Sequence, residues 1–254
     1  MSLSEDPRAW LPEQWQAWCR EVGEPTYRAR QVFEWLHKHQ VHSADAMTSL
    51  PLSLRQRLHE TLGDDPWHLE AEQQSDDGTR KLLLKSQDTD DAIETVLLPE
   101  RLMAGADDPP WAQRVKDTDN VSQCISTQVG CAMGCVFCAS GAMGLQRNLK
   151  ASEIIAQVYF GKRRLLPSEH LRRLVLMGMG EPLLNYEATA QAMKVLTHPW
   201  GWGLGARRIT VSTSGLVPQI DQLAHDFGGA VHLAVSVHAA DNDTRTQILP
   251  INRR

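Results

Sequence analysis

The stretch VSQCISTQVGCAMGCVFCASGAMG, residues 121–144, decides how the rest of the chain reads. Its first ten residues carry Val121, Ile125, Thr127 and Val129, side chains that favour a pleated, half-buried surface, and they read as a strand. Three cysteines then follow in eight residues, Cys131, Cys135 and Cys138, in the spacing C-x3-C-x2-C. The glycines around them let a short loop wrap a bulky group.

Beyond this stretch strand and helix alternate. SEIIAQVYFGKRR reads as a helix that Ser152 can cap. RRLVLMGMG reads as a buried strand, YEATAQAMKVLTH as a helix and RRITVSTSG as a strand. VPQIDQLAHDF is a helix with Pro218 in its first turn, and AVHLAVSVHAA is a fourth strand. Continuous apolar strands separated by helices mean βαβ units and a parallel sheet or barrel. The fold class is therefore α/β, with functional groups collected at the C-terminal ends of the strands.

Upstream the pattern differs. Residues 8–63 read as helical, with Val32, Phe33, Trp35 and Leu36 on a broad apolar face and Gly63 ending the last helix. KLLLKS (81–86) and AIETVLLPE (92–100) read as strands, with turns at Asp76-Asp77-Gly78 and at 88–91. The stretch 101–119 is rich in Asp, Pro and Gly and reads as a loop or linker. Three regions follow: a helical accessory domain over 1–70, a β-hairpin and linker segment over 71–120, and the cysteine-bearing core over 121–254.

Composition narrows the class. There is no run of about 18 apolar residues, which predicts no membrane span. The N-terminus lacks a basic start followed by an apolar block, which predicts no secretory signal and a cytoplasmic protein. Five cysteines, three of them clustered, do not form a disulfide framework and fit a reducing compartment. The formal net charge is −5, but residues 1–120 carry −10 and residues 121–254 carry +5. The basic half can meet phosphates or simply be solvated surface.

Thiolates are soft donors that suit iron–sulfur clusters or zinc. With three ligands, a cubane 4Fe–4S cluster keeps one iron open for a small molecule. Zinc is the rival reading and would need a fourth ligand, for which Cys124, His232 and His238 are available. Three inert structural thiols at this spacing would be unusual. The spacing at the mouth of a βα repeat favours the cluster.

These residues resemble the radical S-adenosylmethionine (SAM) superfamily. Within it, IETVLLPE, the cysteine stretch, GLQRNLKASEIIAQV, MGMGEPLLNY, RRITVSTSG and AVSVHAADNDTRTQILPINR resemble the RlmN/Cfr family of adenosine-C2/C8 RNA methyltransferases, nearer the RlmN side. The resemblance runs from about residue 25 to the end. It implies a radical SAM barrel of which about four of six βα units are present. The implied cofactors are a 4Fe–4S cluster on Cys131, Cys135 and Cys138 and SAM bound by Gly180, Glu181, Ser212, Ser236, Val237 and His238. Taken alone, the Gly-rich strand end and the Ser and Thr residues read equally as βα turns. Glu94 matches the family's proton acceptor and Cys124 its resolving cysteine. On the residues alone, Glu94 is equally a solvent-facing strand residue and Cys124 a small buried one. Cys19 matches nothing in the family.

The implied reaction methylates adenine C2 in 23S ribosomal RNA and in transfer RNA, with flavodoxin or ferredoxin as electron donor and a monomeric enzyme. The family's methyl-carrying cysteine and a SAM-contacting asparagine lie in roughly two further βα units. No cysteine follows Cys138 here. The expectation is a fragment of such an enzyme, or a shortened relative that binds SAM, RNA or a cluster without methyl transfer.

Overall fold

A computed structural model of the chain describes residues 6–100 and 119–253. The 101–118 part of the expected linker lies outside the described residues. Helices α1 (Pro12–Glu21), α2 (Arg28–His37) and α3 (Leu52–Leu62) open the chain. Each buries the stripe its spacing dictates: Trp15, Trp18 and Cys19; Ala29, Val32, Phe33 and Leu36; Leu54, Leu58 and Leu62. Gly63, at φ +60°, ends α3 as expected.

Three antiparallel strands follow, β1 (Trp67–Gln74), β2 (Arg80–Ser86) and β3 (Ala92–Pro99), and they run on into β4 (Asn120–Cys124). Strand β1 is unforeseen. WHLEAEQQ is built of residues with good helix propensity, and its pairing with β2 overrides them. The two expected turns are present: Gly78 sits at φ +84° in the first, and the Ser86 N–H donates to Asp91 O at 2.9 Å across the second.

From β4 the sheet becomes parallel. It continues through β7 (His170–Leu176), β8 (Ile209–Thr213) and β9 (His232–Val235), giving the seven-stranded order β1-β2-β3-β4-β7-β8-β9. After the short α4 (Ala139–Ala142), helices α5 (Ala151–Arg163), α6 (Tyr186–Thr197) and α7 (Val217–Asp226) connect the parallel strands, and α8 (Asn242–Ile248) follows β9. The partial (β/α) barrel is present, with an antiparallel extension on one side.

Three expectations are corrected. The strand expected over 121–130 breaks after Cys124. The Ile125 N–H still donates to Val175 O in β7, but its carbonyl and the Thr127 N–H bond to Gly178 and Met179 after β7, and β5 (Gln128–Gly130) turns away to pair with β6 (Leu145–Asn148) in a separate two-stranded sheet. Ser152 does not cap α5. Lys150 is the cap residue, Glu153 Oε2 accepts its N–H at 2.7 Å, and the Ser152 N–H donates to Asp6 Oδ2 at 2.8 Å. The fourth parallel strand ends at Val235, before Ser236 to His238; the Ser236 N–H still donates to Thr213 O at 2.8 Å, and the chain turns at His238, which takes up φ +63°.

Helix α5 sits at the centre. Ile154, Ile155, Val158 and Tyr159 are all buried, since α5 packs between the sheet, α6 and the 7–9 turn, with His37 of α2 against Tyr159. The Trp67 indole N–H donates to Glu153 O at 3.0 Å, and His37 Nδ1 meets Tyr159 Oη at 3.0 Å. One buried cluster runs from Ala9 to Leu223, so the helices and the βα units share a core. Truncating a fully buried side chain such as Trp67 to Ala costs about 3–5 kcal/mol.

Candidate active site at the strand ends

The hairpin of β5 and β6 carries the cysteine loop at its tip, over the C-terminal ends of the parallel strands. Cys131 is buried, Cys135 and Cys138 are half-buried, and all three are free thiols. The Cys131 N–H donates to Gly144 O at 3.0 Å and closes the loop at its base. Gly130 is required there: at φ +73°, a Cβ on it would lie 1.9 Å from Gly144 O. A Cβ on Gly141 would lie 2.9 Å from the backbone N and O of Cys135. A polar tie from the far end of the chain holds the loop as well, with the Val136 N–H donating to Ile248 O at 3.1 Å.

Below the loop lies a cleft of about 360 Å³. All three cysteines line it, facing Gly180 and Glu181 after β7, Ser212 on β8, and Ser236 and His238 after β9. The expected cluster ligands and most of the expected SAM contacts are therefore brought to one cavity, of a size that suits a small-molecule ligand. Val237, Glu94 and Cys124 are not among its lining residues.

Glu181 is only 3% exposed, yet both its carboxylate oxygens are engaged. Oε1 accepts the Leu183 N–H at 3.1 Å and Oε2 the Ser214 N–H at 2.9 Å. The Ser212 and Ser236 hydroxyls stand 3.4 Å apart, and the Ser236 N–H donates to Thr213 O at 2.8 Å. Arg245 ties the turns after β8 and β9 together, donating from Nε to Val237 O at 3.1 Å and from Nη2 to Ser214 O at 2.6 Å.

The sequence reading missed two contributors. Phe137 packs its ring against His238 at 4.8 Å between centroids, and it was discoverable as an aromatic residue inside an otherwise small-residue loop. Arg245 carries no local signal, since its partners lie 8 and 31 residues away.

Glu94 and Cys124 lie on the sheet face opposite α5. In β3 the buried residues are Ile93, Thr95 and Leu97, which leaves Glu94 and Val96 on the other side, and Val96 pairs with Cys124. Glu94 is half-exposed and its carboxylate meets Lys81 Nζ at 3.0 Å. Burial pushes the Cys124 thiol up to about 11, partly offset by the Met177 backbone N–H.

The donor set of the loop fits an iron–sulfur cluster. Burial, and then mutual repulsion between the loop cysteines, raise the Cys135 thiol, and burial also raises Cys131, so ligand binding must displace protons. A single zinc ion would need ligands converging on one point. Among the described residues, no three His, Cys, Asp or Glu side chains do so. Of the alternative fourth ligands, His232 is exposed on β9 and Cys124 lies outside the cleft, while His238 lines the cleft with the three cysteines. In a cubane cluster each thiolate binds its own iron and the sulfurs stand apart.

Comparison with known proteins agrees. Residues 11–62 match the family described as the ribosomal RNA large subunit methyltransferase N-terminal domain, and residues 125–254 match the radical SAM superfamily. A dual-specificity RNA methyltransferase RlmN of Sorangium cellulosum is 50% identical over 98% of this chain and 68% of its own length. A probable RlmN of Opitutus terrae is 46% identical over 92% of this chain and 62% of its own. The crystal structure of a radical SAM methyltransferase from Sphaerobacter thermophilus superimposes with a TM-score of 0.83 at 43% identity, over 98% of this chain and 68% of that one. The chain thus spans about two thirds of the length of these relatives. On these matches, the chain belongs to the radical SAM superfamily and, within it, to the RlmN family of RNA methyltransferases.

Proposed function

We propose that Cys131, Cys135 and Cys138 would hold a 4Fe–4S cluster beside bound SAM, and that the chain provides the SAM-cleaving part of an adenine-C2 RNA methyltransferase. One observation carries this reading: three free thiols line the same cleft as Glu181, Ser212 and Ser236 at the strand ends. When bound, the reduced cluster supplies the electron that breaks a carbon–sulfur bond of SAM.

The protein's own residues orient the substrate. Glu181, desolvated and fixed by two backbone donors, presents negative charge to the ammonium of SAM. Ser212 and Ser236 offer hydroxyls to its ribose or carboxylate, and the His238 ring, with the backbone of the adjoining Val237, flanks its adenine. Phe137 shields the cleft from water. Glu94 acts as proton acceptor and Cys124 as resolving cysteine on the open sheet face, where an adenine base would enter.

The RNA is 23S ribosomal RNA and transfer RNA, the electron donor is a flavodoxin or ferredoxin, and the working species is a cytoplasmic monomer. No helix among the described residues is long and apolar enough to cross a membrane. Residues 1–70 serve as the accessory unit of the core.

Anaerobic reconstitution tests this directly. It should give about four irons per chain, and dithionite with SAM should then release 5′-deoxyadenosine. Stoichiometric zinc with no iron, or no 5′-deoxyadenosine from a loaded chain, would overturn it.

A further inference from the structure

The cysteine loop and Glu181 belong to different parts of the fold, yet on the reading above they must engage one SAM molecule together. Gln128 joins them. It lies on β5, fully buried, and is not among the residues that line the cleft. Its Oε1 accepts the backbone N–H of Glu181 at 2.9 Å, and its Nε2 donates to Asn148 Oδ1 on β6 at 2.8 Å. The amide orientation is fixed, because the Glu181 N–H can only donate.

The backbone reinforces this join. The Thr127 and Gln128 N–H groups both donate to Met179 O, at 2.9 and 3.2 Å. Gly180, at φ +102°, packs so closely that a Cβ on it would stand 2.6 Å from Gln128 Cβ. Gln128 and Asn148 are also register partners across the two legs of the hairpin that carries the cysteines. One side chain therefore bridges the base of the cysteine hairpin to the Gly180–Glu181 turn.

We infer that Gln128 is a positioning residue that sets the distance between the three thiols and the Glu181 carboxylate, and thereby the affinity for SAM, without touching SAM. This rests on the proposed SAM site. Partners that orient a ligating group typically change affinity 10–100-fold when removed.

The test uses the full chain, reconstituted anaerobically, with Gln128→Met, which keeps the side-chain length and removes both bonds, and Asn148→Ala, which frees only the Nε2 end. Three quantities are read: iron per chain, the melting temperature of the cluster-free protein, and a SAM titration followed by the change it causes in the electron paramagnetic resonance spectrum of the reduced cluster. The expected result is wild-type iron content in both variants, SAM binding weakened at least about ten-fold in Gln128→Met, and a smaller loss in Asn148→Ala. Wild-type SAM affinity in an iron-loaded Gln128→Met overturns the inference. If that variant does not fold, wild-type affinity in Asn148→Ala overturns it. A wild-type cluster that ignores SAM would instead sink the site assignment itself, so the two failures are distinguishable.

Discussion

Glu181 Oε2 and the backbone N–H of Ser214 meet at 2.9 Å, so a carboxylate after β7 holds the turn after β8. The same group accepts from Leu183. Glu181 is thus a structural tie as well as the proposed ammonium acceptor, and its removal has two separable consequences. Glu181→Ala leaves two donors without their partner, at roughly 1–3 kcal/mol for each that stays buried. Urea unfolding of the cluster-free protein measures that loss. Glu181→Gln keeps one acceptor and the shape. It should unfold nearer the wild type while still binding SAM at least about ten-fold more weakly, since the charge is gone.

Arg245 works from the opposite side. Its guanidinium donates to the carbonyls of Val237 and Ser214, and to Asn252. Arg245→Ala should release the 236–238 turn, where His238 is held at positive φ, and weaken SAM binding by about ten-fold with iron content unchanged. Arg245→Lys, which cannot span the same acceptors, should recover only part of the affinity. Equal affinity in all three proteins would dismiss the role.

Stability should fall with acid in a defined window because of His37. Burial first, and then the positive charge of Arg8, hold its imidazole down to about 3. The unfolded chain takes up this proton near the ordinary value of 6.5, and the fold refuses it. The contribution is therefore complete above pH 6.5 and is lost as pH falls toward about 3, at up to about 1.4 kcal/mol per pH unit. Chemical denaturation across that range should show a shallower slope in His37→Gln.

Cys124 should be slow to alkylate. With its thiol pushed up to about 11, roughly one molecule in a thousand is thiolate at pH 8. Iodoacetamide labelling of the reduced, cluster-free protein, read by mass spectrometry, should speed up about ten-fold per pH unit up to that value. A rate already saturated at pH 8 would contradict the buried setting.

The parts of the fold that follow from local pattern were legible. The spacing of Cys131, Cys135 and Cys138 pointed to one cluster site, and the alternation from residue 121 onward gave the parallel strands and their helices in order. What stayed hidden depends on partners distant in sequence. Trp67–Gln74 carries a helix-like composition and is a strand because β2 lies beside it. Ser152 resembles a cap residue, but Glu153 reaches the Lys150 N–H first. Gln128 looks like one polar residue in an apolar strand, and its meaning comes from Glu181, 53 residues away. For Glu94, the residues left a catalytic task and a solvent-facing strand position equally open, and could not supply its partner, Lys81.

The central position of α5 bears on how the molecule comes apart. The Trp67 indole holds the Glu153 carbonyl, His37 holds Tyr159, and the Glu153 carboxylate holds Arg147 on β6, which supports the cysteine hairpin. Pulling the amino-terminal helices away would remove the His37 contact with Tyr159 and open the shared core at α5. The cluster-free protein should therefore melt as one piece, with the calorimetric heat equal to the van't Hoff value. A protease that cuts between α3 and β1 should leave no folded remainder able to take up iron.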